Sequence, residues 1–357
     1  MQTWDAIIGG GGIIGLSLSI ALRRAGLSVL VLERGEPARE ASYAAAGMLA
    51  ALDPDTPGGL RELARASVAL YPEFVRELED SSGINVDLRR EGTLFIGAEC
   101  GAALEALSPS QLKVMEPAVE VNDRPAYYVA EQTVDPRPLG MAALATAKNL
   151  GVDVHSGVAV RKLIIANGHV AGVHSDRTAY HAPIFANCCG AWAAEIPGAQ
   201  IPTRPVKGQM LDVIPPRRNL IRHVVRSPEV YVLPRTDGRI VIGATVEEAG
   251  FDKRVEPAII QRLHQAAANL IPELGEARIH EAWAGLRPGS PDGLPILGMT
   301  SLPGYYAATG HFRNGILLAP ITANCIADLI QGRTPTVDLS AFAPHRFSPV
   351  EEFEKFG

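Results

Sequence analysis

The chain has 357 residues, 47% hydrophobic and 20% charged, which is a globular composition long enough for two domains and a large core. Its formal charge of -6 offers no general attraction to nucleic acid, and no stretch has the uninterrupted apolar length of a membrane span. The first strand pattern starts almost at Met1 with no basic leader, so the sequence reads as cytoplasmic with no secretory signal.

The opening stretch reads as strand, glycine turn, helix, strand, acid. Residues 4–9 are apolar apart from Asp5, and Gly10, Gly12 and Gly15 match G-x-G-x-x-G. Each spacing has a use: a tight turn, a backbone approach to a pyrophosphate, and close helix-on-strand packing. Gly26 stops the helix, residues 27–32 form the second strand, and Glu33 falls where a ribose hydroxyl needs an acceptor. This pattern implies a dinucleotide and leaves NAD and FAD equally open.

The small residues of 40–49 either let the backbone and the Ser42 hydroxyl lie against a ligand or form a tightly packed alanine helix or turn. Residues 60–79 carry a helical apolar stripe, 88–97 read as a strand, and 108–117 as a short helix and loop. Asp135-Pro leads into a helix over 139–149 that Gly151 ends. A strand over 152–160 follows, then a hairpin of 162–165 with 169–173 around Asn167-Gly168. Residues 183–188 form a strand whose turn at Gly190 opens a helix, which returns the chain to the nucleotide unit and makes that unit discontinuous.

A second β-rich region runs through 207–213, 230–233 and 239–243, with a hairpin at Asp237-Gly238, and 258–271 is an amphipathic helix. Near the C-terminus a strand at 305–309 enters the glycine-bearing turn 310–315 before an apolar helix over 316–330. A second helix N-terminus here would anchor the reactive-ring end of a two-part cofactor, or is an ordinary helix start. Cys100, Cys188, Cys189 and Cys325 show no metal spacing, so no metal is expected, and the adjacent pair reads as reduced core thiols.

Five motifs together resemble the glycine oxidases of thiamine biosynthesis, within the D-amino acid oxidase family of FAD-dependent amine oxidoreductases. They are the N-terminal glycine unit with Glu33, residues 42–49, Pro205-Val-Lys-Gly-Gln-Met-Leu211, Trp283-Ala-Gly-Leu-Arg-Pro-Gly289 and residues 310–320. The similarity covers roughly residues 3–333. It implies an α/β chain with a discontinuous Rossmann-like FAD-binding domain (1–84, 146–200 and 284–335). An α+β substrate domain on a mainly antiparallel sheet (85–145 and 201–283) and a tail (336–357) complete it.

For FAD the resemblance carries over Gly10, Gly12, Ile13, Ile14, Gly15, Glu33 and Arg34, then Ser42, Ala46, Gly47 and Met48, then Val160 and Gly190. The last group is Gly310, His311, Phe312, Arg313, Asn314, Gly315 and Ile316. Arg287 and Tyr231 would grip the substrate carboxylate, Arg313 would lie near the amine, and Met48 would touch the substrate. His311 is expected not to be a catalyst. No cysteine lies in the late motifs, so the FAD is expected to be noncovalent.

The implied reaction is oxidation of glycine by hydride transfer to flavin N5, with O2 as acceptor, giving an imine and hydrogen peroxide. The imine hydrolyses to glyoxylate and ammonia or feeds thiazole synthesis. A D-amino acid or sarcosine oxidase or dehydrogenase, and a flavin-binding sensor without turnover, are the competing readings. The resemblance also suggests a homo-oligomer.

Overall fold

The computed structural model describes residues 3–52, 56–97, 106–198 and 201–347; Cys100 and the end of the expected tail lie outside them. Six strands form the first sheet, in the order Ile296–Met299, Tyr305–Thr309, Ile184–Asn187, Ala6–Gly9, Val29–Glu33 and Asp153–Ser156. All neighbours are parallel except the first pair. N-terminal, central and C-terminal segments therefore meet in one sheet, and the Rossmann-like unit is discontinuous as the motifs imply.

A parallel sheet is buried on both faces, and side chains alternate between them. Ala6 and Ile8 point into a core built with the helices Ile13–Arg24, Arg61–Ser82, Pro136–Asn149 and Gly315–Ile330. Ile7 points to the opposite core, shared with Trp4, Phe185 and the three-stranded antiparallel sheet Lys162–Ala166, His169–His174 and Ala179–His181. Asn167 and Gly168, both at positive φ, make the tight turn of that sheet's first hairpin.

The second sheet has seven strands, ordered Arg278–Gly289, Arg204–Ile214, Ile240–Gly243, Tyr231–Pro234, Val224–Arg226, Thr93–Ile96 and Ala126–Val129. Only the contact of Val224–Arg226 with Thr93–Ile96 is parallel. Leu211, Val213, Val232 and Ile242 pack one face against the amphipathic helix Pro257–Leu270. Met210, Leu233 and Val241 lie on the other face, toward the first unit.

Some expected boundaries move. The strand expected over 152–160 stops at Ser156, because Gly157 takes a left-handed conformation and its N–H donates to the Gly35 carbonyl. The strand expected over 88–97 splits at Gly92, sending Leu88–Arg89 to a small sheet and Thr93–Ile96 to the large one. After Gly190 only a short 3-10 helix, Gly190–Glu195, forms.

Two elements span the expected domain boundaries. Helix Pro136–Asn149, cut by the boundary expected at 145, packs whole in the first core through Leu139, Ala142, Ala143 and Ala147. Strand Arg278–Gly289 crosses the boundary expected at 283 and pairs along its length with Arg204–Ile214. Periodicity identifies such elements but does not say which sheet they cover.

The C-terminal helix contains Pro320, which has no N–H to donate to the carbonyl four residues back, that of Ile316. The hydroxyl of Tyr71, fully buried on helix Arg61–Ser82, donates to that carbonyl instead. One turn on, Ser67 Oγ donates to the Leu317 carbonyl at 2.6 Å. Tyr71→Phe would leave the Ile316 carbonyl buried without this donor and lower the unfolding free energy by about 1 to 3 kcal/mol. The shift is read from the urea midpoint of the holoprotein; an unchanged midpoint would remove this role.

Candidate functional site

A cavity of about 890 Å³ opens between the C-terminal ends of the parallel strands and the inner face of the seven-stranded sheet. Ligands in open α/β sheets bind at that strand edge.

At one end Gly10, Gly12, Ile13 and Ile14 line the cavity where helix Ile13–Arg24 begins. Gly10 has φ +99°, and a Cβ there would sit 2.4 Å from the Cys188 carbonyl oxygen. Gly15 lies outside the lining: its Cβ would meet the Gly10 carbonyl oxygen at 2.0 Å, so its role is helix-on-turn packing. Ser42 lines the cavity and caps the helix, its Oγ accepting from Ile13 N–H at 2.9 Å. Ala41–Ala44 form a short helix, and Ala46, Gly47 and Met48 line the cavity.

Glu33 is 7% exposed. Its carboxylate accepts from Gly11 N–H at 2.7 Å and Gly35 N–H at 2.8 Å. Each oxygen keeps a second lone pair for a ribose hydroxyl. Arg34 lies 4.2 Å over the Trp192 ring, which stacks on Phe251 at 5.3 Å. Val160 and Gly190 line this end too, Val160 from the irregular segment beyond its strand.

At the other end the chain turns at Gly310, which is left-handed (φ +73°) and lies outside the lining, its space taken by Ile296. His311, Phe312, Arg313, Asn314, Gly315 and Ile316 follow it along the cavity, where helix Gly315–Ile330 starts. His311 is 2% exposed with Nε2 3.1 Å from Thr322 Oγ1, and burial pushes its pKa down to about 3. The imidazole is therefore neutral across the physiological range.

Arg287 and Tyr231 project from the second sheet into the same cavity. The Arg287 guanidinium donates to the carbonyls of Thr245 at 2.9 Å and Lys207 at 3.4 Å, which leaves its charge uncompensated by either bond. Burial lowers its pKa, Tyr231 opposes that, and Arg313 adds to it. It stays a cation, since a guanidinium keeps its proton in proteins. Burial pushes the Tyr231 phenol up to about 12, so it is a neutral donor.

Each of these side chains lies across a glycine. A Cβ at Gly208 would be 2.4 Å from Arg287 Nη1, and one at Gly243 would be 2.5 Å from the Tyr231 hydroxyl. Strand pairing sets this up, because Gly208 is the diagonal neighbour of Arg287 and Gly243 stands directly opposite Tyr231.

Residues 5–329 match the family of FAD dependent oxidoreductases. The chain belongs to that family. Glycine oxidase of Pseudomonas aeruginosa is 32% identical across 95% of this chain and 98% of its own length. The bifunctional protein ThiO/ThiG of Trichormus variabilis is 38% identical across 97% of this chain, which spans about half (55%) of that relative's length. In structure the chain is similar to glycine oxidase from Geobacillus kaustophilus, with a TM-score of 0.92 at 29% identity, covering 97% of this chain and 99% of that one.

The residues present fit FAD. Gly10, where a Cβ would strike the Cys188 carbonyl, makes the tight turn, Gly12 lines the cavity at the helix start, and a carboxylate and an arginine–tryptophan pair stand at the same end. A second helix start stands at the opposite end of the same cavity. Family motifs did not single out Trp192, Phe251, Gly208, Gly243 or Arg235. Arg235 Nη2 donates to the Ala46 carbonyl at 2.6 Å, fixing residues 46–48 at the cavity wall. Its place in Tyr231-Val-Leu-Pro-Arg235 was the one available signal; Phe251 had none.

Gly208 does not have positive φ, so Gly208→Ala is tolerated by the backbone and must displace the Arg287 guanidinium. We expect normal flavin content with a rise in the Michaelis constant for a carboxylate substrate on the order of tenfold or more. Steady-state kinetics of the variant check this; an unchanged constant would separate Arg287 from substrate binding.

Proposed function

We propose that the chain oxidises glycine, or a comparably small amine-bearing acid, to the imine. The observation that carries this reading is Arg287, a cation beside the neutral donor Tyr231, both facing the cavity between two helix N-termini. A planar guanidinium grips both carboxylate oxygens, and Tyr231 adds a third donor.

FAD, held by the glycine turn, Glu33 and the 311–316 loop, would supply a two-electron acceptor for a hydride from the substrate, with O2 as the final acceptor giving hydrogen peroxide. The chain's residues orient the substrate: Arg287 and Tyr231 would hold the carboxylate in the cavity that His311 to Ile316 also line. Arg313 lies next to the amine in this reading. His311, neutral and bonded to Thr322, is held as structure, and no side-chain base is assigned to Cα. The substrate, having lost a hydride from Cα and a proton from nitrogen to solvent, leaves as the imine, which takes up water to give glyoxylate and ammonia. Similarity to ThiO/ThiG supports its use in thiazole synthesis. Positioning of this kind supplies roughly 7 to 11 kcal/mol of barrier reduction in favourable cases.

Glycine added under argon should bleach the flavin, and air should restore the colour with peroxide. Arg287→Ala should raise the apparent glycine constant roughly a hundredfold or more, since two charge-assisted hydrogen bonds are lost. A glycine-inert flavin that a small D-amino acid or sarcosine bleaches would move the assignment to those substrates.

We further propose that the FAD is not covalently linked. Cys188 and Cys189 line the cavity, but burial raises both thiols, Cys188 to about 12, which suppresses the thiolate needed for attachment. Acid precipitation should leave all the yellow colour in the supernatant; colour in the pellet would show a covalent bond.

A further inference from the structure

We infer that Glu247 is a positioning residue for Arg287, locking together with Gln209 and Lys207 the turn whose carbonyl aims the guanidinium into the cavity. The inference rests on Arg287 as the carboxylate grip.

After strand Ile240–Gly243 the chain leaves the sheet, and Val246 is 68% exposed. Such a segment has little apolar burial to hold it, yet the Thr245 carbonyl is the nearer acceptor for Arg287. What holds Thr245 is polar. Its N–H donates to the Gln209 carbonyl at 3.3 Å, and its hydroxyl accepts from the Gln209 N–H at 2.8 Å and donates to Glu247. The Gln209 side chain donates to both Glu247 oxygens at 3.1 and 3.2 Å, and Lys207 Nζ stands 3.6 Å from Glu247. The main chains of Lys207 and Glu247 exchange two hydrogen bonds of 2.9 Å.

Lys207 is 1% exposed and Gln209 fully buried. A buried ion pair is a poor source of stability, since apolar residues of similar volume usually serve as well. Strand Arg204–Ile214 pairs along its length with Arg278–Gly289, but on its other side the Ile240–Gly243 ladder covers only Met210 to Val213, so residues 207 and 209 face the 245–247 segment through the cluster itself. The cluster ties the start of helix Pro257–Leu270, where Glu256 N–H donates to Gln209 Oε1 at 2.7 Å and the Glu256 carboxylate stands 3.3 Å from Lys207 Nζ. On the Glu247 side it holds the turn that carries the Thr245 carbonyl, the nearer acceptor of Arg287. Glu247 also attracts Arg287 through space, opposing the Arg313 charge. Without this turn the guanidinium would rest on Gly208 with only the longer contact, 3.4 Å to the Lys207 carbonyl, to set its angle.

The test measures acetate dissociation constants by calorimetry, with glycine Michaelis constants and turnover, on holoprotein variants E247A, E247Q, T245V and R287A. E247A should weaken acetate and raise the glycine constant roughly tenfold, with saturated turnover within about threefold. E247Q keeps an acceptor oxygen and should recover at least half of that loss on a logarithmic scale. In the R287A background E247A should add nothing, because the two act as one unit. T245V retains Glu247 and its lysine and should reproduce the shift if E247A does not fold. Normal acetate affinity in E247A or T245V beside weakened binding in R287A would overturn the positioning role. The same follows if the E247A loss adds in full to that of R287A. Normal acetate affinity in R287A would instead overturn the carboxylate grip itself, and the positioning role with it.

Discussion

A side chain at residue 15 would place its Cβ 2.0 Å from the Gly10 carbonyl oxygen, and the nucleotide end of the cavity depends on that closeness. The first helix can start directly above the strand only because both positions lack Cβ atoms. The same turn brings Gly11 within reach of Glu33 and leaves the helix N-terminus facing the cavity. Ser42 then spends its oxygen on Ile13 N–H, so the segment after the second strand is tied to the helix before it. The glycines thus shape a backbone surface, and the neighbouring side chains hold that surface in place.

Across the cavity the second sheet is joined to this framework by arginines. Arg235 reaches the carbonyls of Ala46 and Val134, and Arg137 lies over the rings of Tyr43 and Trp283 while pairing with Glu281 at 2.7 Å. Trp283 Nε1 donates to the Ala44 carbonyl at 3.1 Å. Planar cations and an indole suit such a junction, since they offer apolar faces and directed donors together. Nearby, Asp212, His280 and Glu281 stand close enough to suggest a cation site. Arg239 and His280 already occupy the Asp212 oxygens, and Arg137 occupies Glu281, so arginine pairing accounts for these acids.

Within the cavity, charge and neutrality are divided by burial. Arg287 keeps its charge while Tyr231 and His311 stay neutral. His311 stands in the most suggestive loop of the chain, but its low pKa and its contact with Thr322 make it part of the scaffold.

Local sequence alone determined the first strand–turn–helix unit, the hairpin at Asn167-Gly168 and the amphipathic helix near residue 258, because each depends on spacing within a few residues. Motif resemblance identified the family, the cofactor and part of the cavity wall. Tertiary structure decided what spacing does not encode: that Gly15 and Gly310 shape the wall without lining it, and that Phe251 stacks on Trp192. It also decided that Gly208 and Gly243 form the beds for Arg287 and Tyr231. Those relations depend on strand register between segments dozens of residues apart, and register is set by how whole faces pack.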